Sequence, residues 1–164
     1  MICGVIGLLL GGCLVTDQIT FEDAVNHPIS ILAYTPTDNL IPKTANESFT
    51  LTVVVTDPDV TDSADHEIEA RLVLAADYWS NPDTSTKSCA APQPLPNHGY
   101  AVDSVVFTID CVVELGPLNV YDGSLVKVKT VVSDLGFLGS DADRFAPGAF
   151  IAEQPWVVQI AEEE

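Results

Sequence analysis

Carboxylates are the residues in this chain best placed, by type and spacing, to do chemistry. Asp57, Asp59, Asp62 and Asp65 crowd one short stretch, and Asp134, Asp141 and Asp143 another. Calcium takes roughly six to eight oxygens, mostly from carboxylates and carbonyls. Two such stretches brought together offer a calcium site, with Asp57, Asp59, Asp62 and Asp134 as the candidate ligands. The alternative is a solvated acidic rim that keeps the protein in solution. Other chemistry is poorly represented. His27, His66 and His98 each sit beside turn-forming residues. Ser63, Asp65 and His66 are close in sequence, but a catalytic triad is defined by geometry rather than adjacency, and His66 reads as a surface residue. No Gly-x-Ser-x-Gly, His-Glu-x-x-His or phosphate-binding loop occurs. Carboxylate pairs are too abundant to single out an acid and base of the glycosidase type. The expected protein is not an enzyme and needs no cofactor beyond the candidate calcium.

The charge balance bears on partners. Six Lys and Arg stand against 24 Asp and Glu, a formal charge of −18. Such a surface repels a phosphate backbone, so nucleic acid is not an expected partner. Hydrophobic residues nevertheless make up 47% of the 164 residues. Disordered acidic segments combine high charge with low hydrophobicity, so this chain is expected to fold around one core of ordinary domain size.

Residues 2–15 (ICGVIGLLLGGCLV) carry no charge. The run is too short to span a bilayer, which takes about 20 apolar residues, and has the length of a signal-peptide core. It ends in Leu10-Gly11-Gly12-Cys13, which resembles the lipobox of bacterial lipoproteins: Leu, two small residues, then the Cys that becomes the acylated amino terminus. No Lys or Arg precedes the run, so either the α-amino group alone supplies the positive charge or the start lies upstream. The competing reading is a buried apolar N-terminal strand or helix, for which Gly4, Gly7, Gly11 and Gly12 are poor material.

The lipobox resemblance implies that residues 1–12 are a leader and that Cys13 is lipidated by a diacylglycerol and an acyl chain such as palmitate. Residues 13–27 then form a tether, with Phe21 able to dock, and 28–164 a folded domain. The membrane is thus an expected partner through the lipid. Leu14 after the Cys, in place of Asp, implies the outer membrane of the cell envelope rather than the inner. Of the four cysteines, Cys3 would leave with the leader and Cys13 would carry lipid. Cys89 and Cys111 remain, and an even count in an exported protein reads as a disulfide. It would close a loop of about 20 residues, worth about 3 kcal/mol. Two separate buried thiols are the alternative.

Beyond the tether, period-2 alternation dominates. Residues 48–56 (SFTLTVVVT) put Phe49, Leu51, Val53 and Val55 on one face. Residues 103–114 do the same with Val105, Phe107, Ile109, Cys111 and Val113. Residues 124–133 place Val126, Val128 and Val132 inward against Lys127 and Lys129, and Trp156, Val158 and Ile160 alternate near the end. Residues 29–35 are a weaker first strand. Turn signals separate these runs (Pro36-Thr37-Asp38-Asn39, Asp57-Pro58-Asp59, Asn97-His98-Gly99, Asp122-Gly123), which predicts a sandwich. Residues 67–79 (EIEARLVLAADYW) fit a strand with Ile68, Ala70, Leu72, Leu74 and Ala76 inward. They also fit a helix with Ile68, Leu72, Ala75 and Trp79 in one stripe. The neighbouring strands favour the strand.

Residues 48–59 (SFTLTVVVTDPD) look like the second strand and following turn of bacterial immunoglobulin-like or cadherin-like modules. Residues 122–136 (DGSLVKVKTVVSDLG) look like their penultimate strand. The resemblance implies an all-β, immunoglobulin-like antiparallel β-sandwich of about seven strands, with the two acidic stretches at one pole. It also has departures. Leu125 stands where such modules often carry Tyr, the diagnostic acidic calcium motifs of cadherin-like modules are not reproduced, and Cys89–Cys111 is not the bridge of antibody domains. The segment 81–100, with Pro82, Pro92, Pro94 and Pro96, is long for a loop, and a bridge to Cys111 would pin it. Residues 135–156 hold Leu135, Phe137, Leu138, Phe145, Phe150 and Ile151, which either pack on the sandwich or form a binding loop.

The expected function is a membrane-anchored, non-catalytic binding or structural module of the bacterial envelope, with an envelope protein or a glycan as partner. One alternative is a carbohydrate-binding module using Tyr78, Trp79 and Tyr100. Another is an accessory subunit of a secretion or surface assembly.

Overall fold

The computed structural model describes residues 25–64, 66–75, 85–118, 120–140 and 142–161. The leader, Cys13, Phe21, Asp65, Tyr78, Trp79 and Asp141 lie outside the described residues. Nine strands occur among those described: β1 (Ser30–Thr35), β2 (Leu40–Lys43), β3 (Ser48–Thr56), β4 (Glu69–Ala75), β5 (Ser85–Ser88), β6 (Gln93–Pro94), β7 (Val106–Glu114), β8 (Leu125–Ser133) and β9 (Ile151–Ile160). They form two sheets, β1-β3-β7-β6 and β2-β9-β8-β4-β5. This is the strand order of an immunoglobulin-like sandwich, with β2 added parallel to β9 and β5 added at the far edge. No helix among the described residues is long and apolar enough to cross a membrane.

The alternating side chains make the core. Leu51, Val53 and Val55 of β3 and Phe107, Ile109, Cys111 and Val113 of β7 face Leu72 and Leu74 of β4 and Val126, Val128 and Val132 of β8. Trp156, Val158 and Ile160 of β9 complete the layer, all buried. Phe49 is only half-buried at the rim. Within the segment 67–79, Glu69–Ala75 is strand, pairing with β8 along its whole length, while residues 76–79 fall outside the described set.

The all-β sandwich of about seven strands is present, with short additional pieces: β2, β5 and β6 are too short or too polar (LIPK, STKS, QP) to show alternation. The loop expected over 135–156 ends at Phe150, since β9 begins at Ile151. That loop packs on its own sandwich. Phe137 and Phe145 form a bridge with ring centroids 5.4 Å apart, and Phe137 lies over Arg71 of β4.

Two segments carry the chain between sheets. After β1 the chain passes through a cis Thr35–Pro36 bond into β2, and the Trp156 indole donates a hydrogen bond to the Pro36 carbonyl at 3.0 Å. After β5, Cys89 N donates to Ala70 O of one sheet and Ala90 N to Asp110 O of the other. The disulfide Cys89–Cys111 sits at this crossing, with Cα atoms 4.5 Å apart.

Candidate functional site

The β3–β4 and β8–β9 loops share one pole, as the immunoglobulin-like pattern implies, and the chain enters the sandwich there. Asn26 Nδ2 donates to Asp134 Oδ2 at 2.8 Å and to Gly148 O at 2.9 Å. His27 donates its backbone N–H to Asp59 Oδ2, and its ring Nδ1 lies 2.6 Å from Asp59 Oδ1. These hydrogen bonds hold the Asp59 carboxyl below its ordinary value, the backbone N–H of His27 most and its ring next. Asn26 and His27, at the end of the expected tether, are therefore fastened to the two acidic loops.

The aspartates at this pole hold the loops together. Asp57 is buried, and its Oδ1 accepts Asp59 N at 2.9 Å in a local side-chain turn. Asp134 is buried, accepts Phe150 N through Oδ1 at 2.8 Å, and so closes the β8–β9 loop. Asp62, exposed, accepts Ala64 N at 3.0 Å. Asp143 stands apart, in a cleft with Lys129 and Arg144. Among the described residues no group of three or more His, Cys, Asp or Glu is placed to hold a metal ion. Asp57, Asp59 and Asp134 share the pole, but each has at least one oxygen committed to a backbone N–H, the use turns and loop closures make of Asp.

Burial raises the Asp57 carboxyl above its ordinary value, and the charges of Asp59 and Asp134 push the same way. The backbone hydrogen bond from Asp59 and the charge of His27 partly oppose this. A raised value means that folding disfavours the ionised form. The cost is absent below the unfolded value and grows as pH rises through the folded one. Asp57→Asn keeps an oxygen for Asp59 N and removes the buried charge. It is expected to raise the melting temperature at pH 7 by about 2 °C, the size of a change near 1 kcal/mol in a domain this large. The gain should shrink as pH falls and vanish in acid. A pH series of thermal melts on both proteins checks this, and a loss of stability at pH 7 would contradict it.

The histidines are not brought together as a catalytic group. His66 is half-buried rather than on the surface, because its ring lies 4.5 Å from that of Phe107. Its Nδ1 is buried without a hydrogen-bond partner among the described residues, as is that of His98. His98 stacks on Tyr100. Tyr100 is the one glycan candidate among the described residues and is half-buried, so no aligned face of aromatics is formed by them.

An open cleft of about 630 Å³ runs beside the pole, with His66, Glu67, Glu69, Arg71, Cys89 and Phe137 on its walls. Arg71 is buried, donates through Nη2 to Gly139 O at 2.6 Å, and lies 4.4 Å from the Phe137 ring centre. Gly136 has φ +75°, and a Cβ there would meet Glu69 Cδ at 3.4 Å, so the tight turn favours glycine. Among the described residues, the cleft offers charge and shape with no nucleophile hydrogen-bonded to a base. The Arg71–Phe137 contact and the fastening of Asn26 and His27 have no local sequence signal, since the partners are far apart in the chain.

No family model matches the chain, and no curated protein matches it. Among solved structures it is similar to AggA, the major subunit of aggregative adherence fimbriae type I from Escherichia coli. The identity is 9% and the TM-score 0.33, over 84% of this chain and 97% of that one. It is also similar to AvmM, which catalyzes macrocyclization in alchivemycin A biosynthesis, at 12% identity and a TM-score of 0.32, over 85% of this chain and 93% of that one. At these TM-scores neither likeness bears on function. The class defined by the fold is the immunoglobulin-like β-sandwich.

Proposed function

We propose that this protein is a lipid-anchored, non-catalytic binding or structural module of the bacterial envelope, held at the outer membrane through Cys13. The observation that carries this reading is the uncharged run ending in Leu10-Gly11-Gly12-Cys13, and the fastening of Asn26 and His27 to the acidic pole sets how such an anchor would orient the domain. Only residues 14–25 separate Cys13 from that clamp, a reach of roughly 40 Å when fully extended. An anchor at Cys13 would thus turn the acidic pole toward the membrane. Carboxylates there are repelled by anionic headgroups, so the domain would stand off on its tether, with its sheet faces and opposite pole free for partners. The Cys89–Cys111 bond suits an oxidising compartment.

Removing the thiol tests the reading. Three acyl chains exceed the two signals that a stable anchor requires. The native chain is expected in the membrane fraction of its own cell and to incorporate a labelled fatty acid, and Cys13→Ser is expected to lose the label and to keep residues 1–12. A native chain that takes up no label, or a Cys13→Ser chain labelled as strongly as the native one, would count against the anchor.

A further inference from the structure

The cations of this acidic chain are unevenly placed. Of the six Lys and Arg, Lys127 and Lys129 alternate with the buried Val126 and Val128, so they face outward from the β2-β9-β8-β4-β5 sheet, with Glu153 beside Lys129; Arg71 lies on that side too but is buried there against Phe137 and Gly139. Arg144 lines a cleft on that same face with Val73, Lys129 and Val131. The opposite sheet carries no Lys or Arg in any of its strands β1, β3, β6 and β7. Its outer face presents Asp110, Val112 and Glu114 along β7, alternating with buried Ile109, Cys111 and Val113. Exposed apolar groups accompany the charges on both sides: Leu125 (57%) and Leu40 (52%) beside Lys127, and Val112 (55%) between Asp110 and Glu114. One face thus reads apolar-base-base along β8, and the other acid-apolar-acid along β7.

We propose that these two faces dock on each other between copies of this chain, the Lys127–Lys129 face of one on the Asp110–Glu114 face of the next. Charge complementarity selects the arrangement. Like faces would set Lys against Lys or carboxylate against carboxylate, whereas unlike faces pair opposite signs. Lys129 already pairs with Glu153, Glu114 pairs with Lys87, and Asp110 accepts from Thr52 Oγ1 at 2.6 Å, all at exposed positions, and Lys127 too has a partner within its own chain. Such pairs contribute little and rearrange readily. At ordinary strand spacing the five-stranded sheet presents roughly 540 Å² and the four-stranded sheet roughly 410 Å², below the roughly 800 Å² per partner of a standard contact, so the association belongs to the weak, transient class. The contact is head-to-tail, so each copy offers a free face to another and the product is an open series rather than a closed dimer.

The net charge gives the association an unusual salt dependence. At about 0.01 M salt the screening length is about 30 Å, so each copy feels the whole −18 of the other and repulsion prevails. At about 0.15 M the length falls to about 8 Å and only the facing patches interact. At about 1 M the patches too are screened. Association should therefore peak near 0.15 M.

The test is zero-length carbodiimide crosslinking of the full chain extracted in non-ionic detergent. Amides are expected between Lys127 or Lys129 and Asp110 or Glu114, with highest yield at intermediate salt. Those side chains point away from each other on opposite sides of one sandwich, so such links arise only between copies. The intramolecular Lys129–Glu153 and Lys87–Glu114 links serve as controls. In sedimentation, Lys127→Glu/Lys129→Glu and Asp110→Lys/Glu114→Lys should each lose the assembly, and an equimolar mixture of the two should regain it. Control links alone at every salt, a monomer throughout, or a mixture that stays monomeric would overturn the proposal. None of these outcomes depends on acylation of Cys13.

Discussion

Trp156→Ala is expected to lower the unfolding free energy by about 3–5 kcal/mol, the range for removing a buried indole. In a domain of this size that is a fall in melting temperature of roughly 10 °C or more. Trp156 is 1% exposed, the largest side chain in the core, and its ring meets that of Tyr34 edge-on at 6.0 Å. Its Nε1–H holds the Pro36 carbonyl, so it also ties β9 to the segment where the chain passes from one sheet to the other. Trp156→Phe separates the two contributions. It keeps much of the apolar burial and leaves the Pro36 carbonyl without its donor, a cost of about 1 kcal/mol for the hydrogen bond. Urea titrations of the three proteins check this. A cost for Trp156→Ala no larger than for Trp156→Phe would mean that the cavity is not felt and the packing described here is wrong.

Reduction of Cys89–Cys111 should have the next largest effect. The bridge closes a loop of 22 residues, and chain entropy assigns such a loop about 3 kcal/mol, or a fall of roughly 6–12 °C in melting temperature. Cys111 is fully buried while Cys89 is half-exposed beside the cleft. The backbone hydrogen bonds of the crossing, Cys89 N to Ala70 O and Ala90 N to Asp110 O, do not need the bridge. The reduced protein is therefore expected to keep both sheets and unfold at lower temperature. The Cys89→Ala/Cys111→Ala protein should melt with the reduced form and be indifferent to reductant. A melting temperature unchanged by reductant in the native chain would contradict this, provided a thiol assay confirms the bond is open.

The central strands were legible in the sequence because they are buried on one face and solvated on the other, the condition that writes period 2 into a chain. Residues 48–56 and 106–114 show it, and 125–133 does so only as far as Lys129, since Val131 and Ser133 are buried as well. Segment 67–79 was ambiguous, since Ala and Leu suit a helix as well as a strand, and only pairing with β8 and β5 decides for strand. The edge strands were not legible. Ser85–Ser88 has no apolar residue to alternate, and Leu40–Lys43 contains Pro42.

The acidic pole was legible as a place but not as a mechanism. A carboxylate that closes a turn on a backbone N–H and one that awaits calcium are the same letter in the same kind of stretch. How the pole is held depends on partners such as Phe150 for Asp134 and His27 for Asp59, which local sequence does not reveal. His66 failed for a similar reason: its turn-like neighbours point to solvent, while Phe107, on a distant strand, covers its ring.

The intact mass of the protein extracted from its native membrane tests the central claim most directly, because it reads processing, acylation and the bridge at once. The account predicts a chain beginning at Cys13, heavier than its sequence by a diacylglyceryl group and an acyl group and lighter by two hydrogens for Cys89–Cys111. A mass that retains residues 1–12 and carries no lipid would contradict it.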